Sequence, residues 1–289
     1  MSAGTKAAAA PRLVAVVTGG SNGIGEGICR HLHAAGAVVI NIDKVAPARP
    51  LGGDAQSSGG GDAQSSGGGD AQSSRSGDAQ SSRGGVARAS GSGDYHFLQA
   101  DLTDAAATRA AAADLARRFE VNALVNNAGF PTPGTLEEIT DADFDHGANL
   151  HLRAAILLSQ AFLPGMKARR FGRIVNMSSR SVLGKKARTV YAGTKAALVA
   201  YTRSWAIELG GFGITVNAIS PGPVLTELFL KYQKPEVIEK LVGLTVVGRA
   251  GQPDDIARAA MFFLAPENSY VTGQVLHVCG GSSLGGAPW

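Results

Sequence analysis

The sequence of 289 residues has little cysteine, few aromatic residues and no long apolar run. Its two cysteines, Cys29 and Cys279, lie far apart, and the six histidines show no metal-ligand spacing, which argues against a disulfide framework and against a metal site. No apolar stretch reaches the roughly 18 residues of a membrane span. We therefore expect buried free thiols in a reducing compartment, a cytoplasmic location, and no membrane partner.

Charge of either sign is also scarce. Charged residues make up 17% of the chain, the net charge is +4, and the basic residues are scattered, so the sequence lacks the footprint of a nucleic-acid-binding protein. Residues 1–11 form an Ala-rich tail without the apolar core of a secretory signal, and we expect this tail to be flexible. Hydrophobic residues make up 44% of the sequence, which is enough for one large core or two small ones, and we expect one domain over residues 12–289.

The first ordered unit is predicted to be a βαβ unit with a glycine turn. The β-branched run 13–18 is typical of a strand buried on both faces, and the helical pattern of Ile28 and Leu32 ends at Gly36 in the C-cap role. A second apolar run ends in Asp43. The segment Gly19-Gly-Ser-Asn-Gly-Ile-Gly25 lies between the first strand and the helix, where a glycine turn can approach a pyrophosphate closely.

Residues 53–84 interrupt this pattern. They are four eight-residue repeats that begin Gly-Asp-Ala-Gln-Ser-Ser. The repeats have no aliphatic side chain larger than alanine and cannot offset the entropy of ordering. We interpret them as a flexible surface insertion between the second and third strands, and a functional lid is the less favoured alternative.

Strands and helices alternate after the repeats. The predicted strands are 95–101, 123–129, 172–179, 213–219 and 274–279, with helices over 104–119, 141–166 and 191–209. This alternation predicts an α/β fold: one doubly wound domain of Rossmann type, with a parallel seven-stranded sheet flanked by helices. Ligands of such sheets bind at the carboxyl ends of the strands, where Asp43, Asn127 and Ser179 are expected to converge.

Tyr191 and Lys195 are four positions apart, so they lie on the same face of a helix. An ammonium at ~4 Å, with an effective dielectric of ~20, would favour the phenolate by ~4 kcal/mol, or roughly three pKa units. Such a shift would bring a phenol into range as a general acid/base. A Tyr-x-x-x-Lys pair alone is also compatible with a solvated helix surface, and the other motifs must decide.

With these motifs in order, the chain resembles a classical short-chain dehydrogenase/reductase over residues 12–281, apart from the repeats. The resemblance is carried by five motifs: Thr18-Gly-Gly-Ser-Asn-Gly-Ile-Gly25, Asp101-Leu102, Asn126-Asn-Ala-Gly129, Ser178-Ser179 before Tyr191-x-x-x-Lys195, and Pro221-Gly-Pro-Val-Leu-Thr226.

The resemblance implies roles for individual residues. Tyr191 would donate or accept the proton, Lys195 would lower its pKa and hold the nicotinamide ribose, and a serine would orient the substrate oxygen. The family spacing allows Ser178 or Ser179, and we prefer Ser179. The remaining cofactor-binding residues implied are Gly19, Ser21, Asn22, Gly23, Ile24, Gly25 and Asp43, Asp101 and Leu102 beside the adenine, Asn127 near the ribose, and Val224 and Thr226 at the carboxamide and phosphates.

One position departs from the family. An asparagine usually completes a catalytic tetrad through a bound water, but an ungapped count places His151 there. Asn149 is two residues away and would face elsewhere on an α-helix. We hypothesise that His151 keeps the water relay, because a neutral imidazole can donate and accept; the alternative is that it fills space.

Asp43 favours NAD over NADP, because a carboxylate accepts hydrogen bonds from a ribose diol and repels a 2′-phosphate, although the adjacent Lys44 could soften this preference. The predicted function is hydride transfer between nicotinamide and a small carbonyl or secondary-alcohol substrate. The resemblance implies a homotetramer or homodimer. The alternative is a catalytically weak dinucleotide-binding sensor or scaffold, against which the intact Ser179, Tyr191 and Lys195 argue. Arg180, Lys185, Lys186 and Arg188 could meet an anionic group, but solvated charges are favoured.

Overall fold

The computed structural model describes residues 11–49, 51, 94–232 and 234–284. The repeats at 53–84 lie outside the described residues, as does nearly all of the N-terminal tail. Among the residues described, no helix is both long and apolar enough to cross a membrane.

Seven parallel strands form one sheet in the order β3-β2-β1-β4-β5-β6-β7, which confirms the predicted doubly wound architecture. The strands are β1 (Val14–Thr18), β2 (Val38–Asp43), β3 (Tyr95–Gln99), β4 (Ala123–Asn126), β5 (Gly172–Met177), β6 (Ile214–Pro221) and β7 (Val275–Val278). The strand order reverses direction between β1 and β4, which is where ligands of such sheets bind.

Helices cover both faces of the sheet. They are α1 (Gly23–Ala34), α2 (Ala105–Arg118), α3 (Asp141–Gly147), α4 (Ala154–Arg169), α5 (Thr189–Leu209), α6 (Glu227–Tyr232), α7 (Pro235–Gly243) and α8 (Pro253–Leu264). The Asp104 side chain caps α2, as predicted, by accepting from the backbone of Ala106 and Ala107. Gly36 follows α1 with φ +79°, which fits the predicted role at the helix end.

Alternate side chains along the strands pack into two separate hydrophobic cores, one on each face of the sheet. Val16 of β1 packs with α2 and α4 residues such as Leu115 and Leu158, whereas Val17 packs with Ile28 of α1 and Ile256 of α8. All six of these side chains are fully buried. This double burial explains why the strands are continuous apolar runs and holds their carboxyl ends in fixed relative positions.

Several predicted boundaries were wrong in ways that affect the site. β3, β4 and β5 end at Gln99, Asn126 and Met177, before the predicted 101, 129 and 179. The helix predicted over 141–166 is interrupted by a π-helix at Ala148–Arg153, between α3 and α4. The backbone N–H of Ala154 bonds to the Asn149 carbonyl, which is the five-residue spacing of a wide turn.

Candidate functional site

The glycine turn between β1 and α1 forms one side of the site. Gly19 and Gly23 have φ values of +66° and +55°, which side chains rarely adopt. A Cβ added at Gly25 would collide with the carbonyl oxygen of Gly19. Asn22 precedes α1 without capping it through its side chain. The turn can therefore bring backbone N–H groups close to an anion.

Asn127 and Thr18 hold this turn in place. The Asn127 side-chain amide donates to the carbonyls of Thr18 (2.9 Å) and Gly19 (3.1 Å). The Thr18 hydroxyl accepts from the backbone N–H groups of Asn127 and Ala128, each at 2.9 Å. The amide of Asn127 is thus used on the turn, whereas the resemblance had implied a place near the ribose. Thr18 was not predicted as a site residue, although it begins the glycine motif.

Asp43 is tied to the same turn at the end of β2. Its carboxylate accepts from the backbone N–H of Ser21 (3.1 Å) and of Val45 (3.3 Å). Asn41 supports this arrangement, because its side chain accepts from the Gly20 N–H at 2.9 Å and donates to the Ser21 hydroxyl at 3.0 Å. Asn41 was missed from the sequence because it reads as one polar residue within a buried strand.

Two other predicted cofactor residues, Val224 and Thr226, lie in the segment after β6. A Cβ added at Gly23 would lie 3.1 Å from the Thr226 methyl group, so the segment after β6 borders the start of α1. Val224, in the same segment, is buried and bridges to Gly251. Ile24 is half-buried against the core beneath α1.

Asp101 and Leu102 follow β3. Burial opposes the ionisation of Asp101, but hydrogen bonds from the Thr103 hydroxyl (2.7 Å) and backbone (2.9 Å) outweigh it and lower its pKa. Leu102 is buried in the core. No hydrogen bond joins either residue to the glycine turn within the described residues, so their role beside an adenine stays a prediction.

The two serines have different partners. The Ser178 hydroxyl is buried and donates to the Lys195 carbonyl at 2.9 Å. Ser179 lies close enough to Tyr191 to lower the pKa of the phenol by hydrogen bonding, and the Ser179 oxygen accepts from the Ser181 hydroxyl at 2.7 Å. Ser178 therefore has a local structural partner, and the preference for Ser179 as the catalytic serine stays a prediction.

Lys195 lies beside Tyr191, but the electrostatics differ from the prediction. Its ammonium is 5.8 Å from the centre of the Tyr191 ring and donates to the Met177 carbonyl at 2.8 Å. Burial lowers the pKa of Lys195 to about 7. Burial also raises the pKa of Tyr191, and the Ser179 hydrogen bond and the Arg188 charge offset this only in part.

The expectation that Lys195 alone brings the phenol into working range was therefore wrong, because the net shift of the Tyr191 pKa is upward. A fully buried amine with a pKa near neutrality carries a full charge only part of the time. The desolvation that weakens the lysine charge also penalises the phenolate of Tyr191. The spacing of Tyr191 and Lys195 on a helix predicts that the ammonium attracts the phenolate, but it does not indicate how deeply the two side chains are buried. The effect of burial on the pKa of Tyr191 is the larger of the two.

His151 occupies the π-helix and packs against Tyr191, edge to face, with ring centres 5.7 Å apart. Its Nε2 accepts from the Phe130 backbone N–H at 3.1 Å, so the proton lies on Nδ1, which donates to the Thr194 hydroxyl at 2.8 Å. Thr194 in turn donates to the Val190 carbonyl at 2.9 Å. Burial first, with the charge of Lys195, lowers the pKa of His151 to about 2.

These bonds argue against the hypothesised water relay. A relay needs a ring nitrogen that faces water, and both nitrogens of His151 have protein partners. The side chain is 2% exposed and neutral. His151 instead connects the loop after β4 to α5. Gly129 belongs to this loop, and a Cβ there would lie 3.1 Å from the Lys195 ammonium and 3.2 Å from His151 Nε2.

The described residues contain no cluster of three or more His, Cys, Asp or Glu side chains that could hold a metal ion.

The site consists of two joined parts: a glycine turn with Asp43, and the group of Ser179, Tyr191, Lys195 and His151. The loop after β4 connects them, since Asn127 contacts the first part and Gly129 lies against the second.

Comparisons with known proteins agree with this geometry. A family model described as enoyl-(acyl carrier protein) reductase matches residues 72–283. A galactitol 2-dehydrogenase (L-tagatose-forming) from Cereibacter sphaeroides is 35% identical over 93% of this chain and 94% of its own length. The BbsD subunit of a (2S)-[(R)-hydroxy(phenyl)methyl]succinyl-CoA dehydrogenase from Thauera aromatica is 42% identical over 57% of this chain and 66% of its own.

A solved structure is similar over nearly the whole chain. It is a candidate NAD(P)-dependent gluconate 5-dehydrogenase from Beutenbergia cavernae, with NADP bound at low occupancy. It matches with a TM-score of 0.75 and 30% identity, over 95% of this chain and 98% of its own.

Proposed function

The chain belongs to the short-chain dehydrogenase/reductase family of NAD(P)-dependent oxidoreductases, and we propose that it interconverts a secondary alcohol and a ketone with Tyr191 as the general acid/base. The observation that carries this proposal is the group around Tyr191: the buried Lys195 ammonium lies 5.8 Å from the centre of the Tyr191 ring, and Ser179 acts on the phenol by hydrogen bonding. A protein that only binds a dinucleotide has no need of that group.

The glycine turn fits a dinucleotide. Its uncapped helix start and its lack of side chains suit a pyrophosphate, and Gly19, Gly23 and Gly25 would lie against it. The cofactor, when bound, supplies the hydride acceptor or donor. Lys195 would hold the nicotinamide ribose, as the family resemblance implies.

NAD is the preferred cofactor in this proposal. The Asp43 carboxylate is held by two backbone N–H groups, which fixes its orientation but leaves lone pairs for a ribose diol. The same negative charge would repel a 2′-phosphate. Lys44 follows Asp43 in the chain. Its side chain is exposed and basic, so its charge opposes the preference that Asp43 sets. The solved relative with bound NADP makes a direct comparison of the two cofactors necessary.

The proton chemistry belongs to Tyr191 and Ser179. In alcohol oxidation the substrate O–H proton passes to the Tyr191 oxygen, and in carbonyl reduction the phenol returns it. Ser179 can donate a hydrogen bond to the substrate oxygen. Because burial raises the pKa of Tyr191, the phenol is protonated at neutral pH, which suits proton donation to a carbonyl and hence the reductive direction.

The expected homotetramer or homodimer and the cytoplasmic location stay predictions. The substrate is a small alcohol or carbonyl compound. The matched dehydrogenases act on a sugar alcohol in one case and a CoA thioester in another, which supports a secondary alcohol without selecting one.

The test is a thermal-shift titration with NAD⁺ and NADP⁺ side by side, followed by turnover of secondary alcohols and their ketones. We expect a larger shift with NAD⁺, and Tyr191→Phe should keep that shift while losing about 10²- to 10⁴-fold in turnover. Tyr201→Phe is the matched control, because Tyr201 lies on the same helix and stacks on Trp205 away from the site.

Each outcome has a distinct meaning. A larger shift with NADP⁺ would overturn the cofactor preference alone. Cofactor binding without any turnover, or turnover that survives in Tyr191→Phe, would contradict the catalytic proposal, and the former would favour the sensor or scaffold alternative.

A further inference from the structure

The segment that joins Ser179 to Tyr191 carries an unusual charge. Its residues 180–188 include four basic side chains and no acidic one, and we call them the basic segment. The four are Arg180, Lys185, Lys186 and Arg188. The basic segment connects Ser179 to Tyr191, the two residues proposed to contact the reacting oxygen, so its two ends are fixed beside that group.

The backbone of the basic segment is held in place. Arg180 begins a 3₁₀-helix at Arg180–Leu183 directly after Ser179, and its guanidinium donates to the Ser282 carbonyl at 3.2 Å. At the other end, the Ala187 carbonyl accepts from the Gly134 N–H at 3.2 Å, in a bridge between Gly134 and Arg188. Ala187 has φ +55°, a strained conformation for a residue with a side chain. Such strain persists where the surroundings impose it, and it often marks a functional segment.

The positive charges of the basic segment affect one another and the phenol. Burial, with the charges of Arg188 and Arg180, lowers the pKa of Lys185. Arg188 is three residues before Tyr191, and its charge acts to lower the pKa of that phenol. None of the four basic side chains forms an ion pair with a carboxylate in the described part of the chain.

Like charges held together by a constrained backbone repel one another, and a counter-anion relieves this repulsion. The pyrophosphate of a dinucleotide is accounted for by the glycine turn, so the anion that the basic segment would meet belongs to the substrate. We propose that the basic segment, through Arg188, Lys185 and Arg180, binds a carboxylate or phosphate group carried by the substrate. This inference rests on the oxidoreductase function proposed above.

The first experiment compares three probes that share a six-carbon polyol chain: sorbitol, gluconate and sorbitol 6-phosphate. Turnover is measured with NAD(P)⁺ at constant ionic strength. We expect kcat/KM for one of the two anionic probes to exceed that for sorbitol by about tenfold or more, the effect of a charge-assisted hydrogen bond. The better anionic probe identifies the group as a carboxylate or a phosphate.

Arg188→Gln should reduce that anion preference about tenfold. Arg109→Gln is the control, because it removes the same charge from an exposed position on α2. A wild-type enzyme that uses sorbitol as well as the anionic probes, or a preference that survives in Arg188→Gln, would overturn the proposal while leaving the oxidoreductase function intact.

A second measurement needs no turnover. The thermal shift is recorded with inorganic phosphate and with acetate, each against chloride at equal ionic strength, for the wild type and for both variants. A shift beyond chloride that is lost in Arg188→Gln but kept in Arg109→Gln supports the basic segment as the binding site. Equal shifts in all three proteins, or none, overturn it. Absence of NAD(P) binding would contradict the proposed function, and this measurement would still decide the inference.

Discussion

The two parts of the site are built in different ways. Around the glycine turn, the arrangement depends on the absence of side chains and on backbone N–H groups held by Asn127, Thr18 and Asp43. Around Tyr191, it depends on polar side chains that are buried and satisfy one another, with His151 and Lys195 almost fully enclosed. The geometry of the glycine turn depends on close packing without side chains, and the properties of the group around Tyr191 depend on desolvation.

This difference has a chemical consequence. A turn that presents backbone groups binds an anion without any titrating residue, so its affinity should be insensitive to pH over the neutral range. The group around Tyr191 contains a lysine whose pKa is lowered to about 7 and a phenol whose pKa is raised, so its charge state changes with its surroundings. We therefore expect steric substitutions to disrupt the first part and changes in charge or hydrogen bonding to disrupt the second.

Gly25→Ala tests the steric part and should have the largest effect. The added Cβ would collide with the Gly19 carbonyl and approach the Asn127 amide, so the turn must shift. Displacement of the backbone by about 1 Å should weaken NAD⁺ binding by about a hundredfold. Titration of NAD⁺ by fluorescence or calorimetry measures this loss.

Gly243→Ala is the control for that substitution. Gly243 ends α7, and no atom lies within 4 Å of a Cβ added there. Its effect on stability should stay within about 0.5 kcal/mol, with NAD⁺ affinity unchanged. If Gly25→Ala bound NAD⁺ as well as the wild type, the steric account of the turn would be wrong.

Much of the glycine turn and its surroundings could be predicted from the sequence, because this part depends on which residue types stand at each position. The glycines, the position of Asp43 at the end of β2 and the parallel sheet follow from patterns over a few neighbouring residues. The supporting roles of Asn41 and Thr18 could not be predicted, because their partners lie in segments that follow other strands, far away in the sequence.

For the group around Tyr191, the sequence predicted which residues belong to it but not their electrostatics. The positions of Ser179, Tyr191 and Lys195 followed from spacing, but the lowered pKa of Lys195 depends on burial by distant segments. The bonds of His151 depend on a π-helix that α-helical spacing does not indicate. Long-range packing therefore decides the properties that short-range patterns leave open.

Thr194→Val tests the hydrogen bonds of His151. The substitution keeps the shape but removes the acceptor of the buried Nδ1–H, which should cost about 1–3 kcal/mol of stability. Because His151 packs against the Tyr191 ring, we also expect kcat to fall about tenfold through misplacement of the phenol. The pH profile should keep its shape, since His151 is neutral.

Thr202→Val is the matched control, on the same helix. It removes the acceptor of the buried Asn176 amide and should destabilise the protein to a similar extent, but without the loss in kcat. Equal losses in kcat for both variants would mean that the effect is one of general stability. A shifted pH profile in Thr194→Val would instead revive the water relay through His151.

The smallest effect expected is a pH dependence of stability that arises from Lys195. Its pKa is about 7 in the folded chain and 10.5 as the reference value, so the unfolded chain binds more protons between these two pH values. The free energy of unfolding should therefore rise with pH, by at most about 1.4 kcal/mol per pH unit from this residue. Denaturant unfolding of the wild type and of Lys195→Met at pH 7.0 and 8.5 isolates the contribution, and the wild type should gain about 1–2 kcal/mol more than the variant. If the free energy of unfolding changed equally with pH in the two proteins, the Lys195 ammonium would not be desolvated. The distinction between a steric and a desolvated part of the site would then be wrong for Lys195.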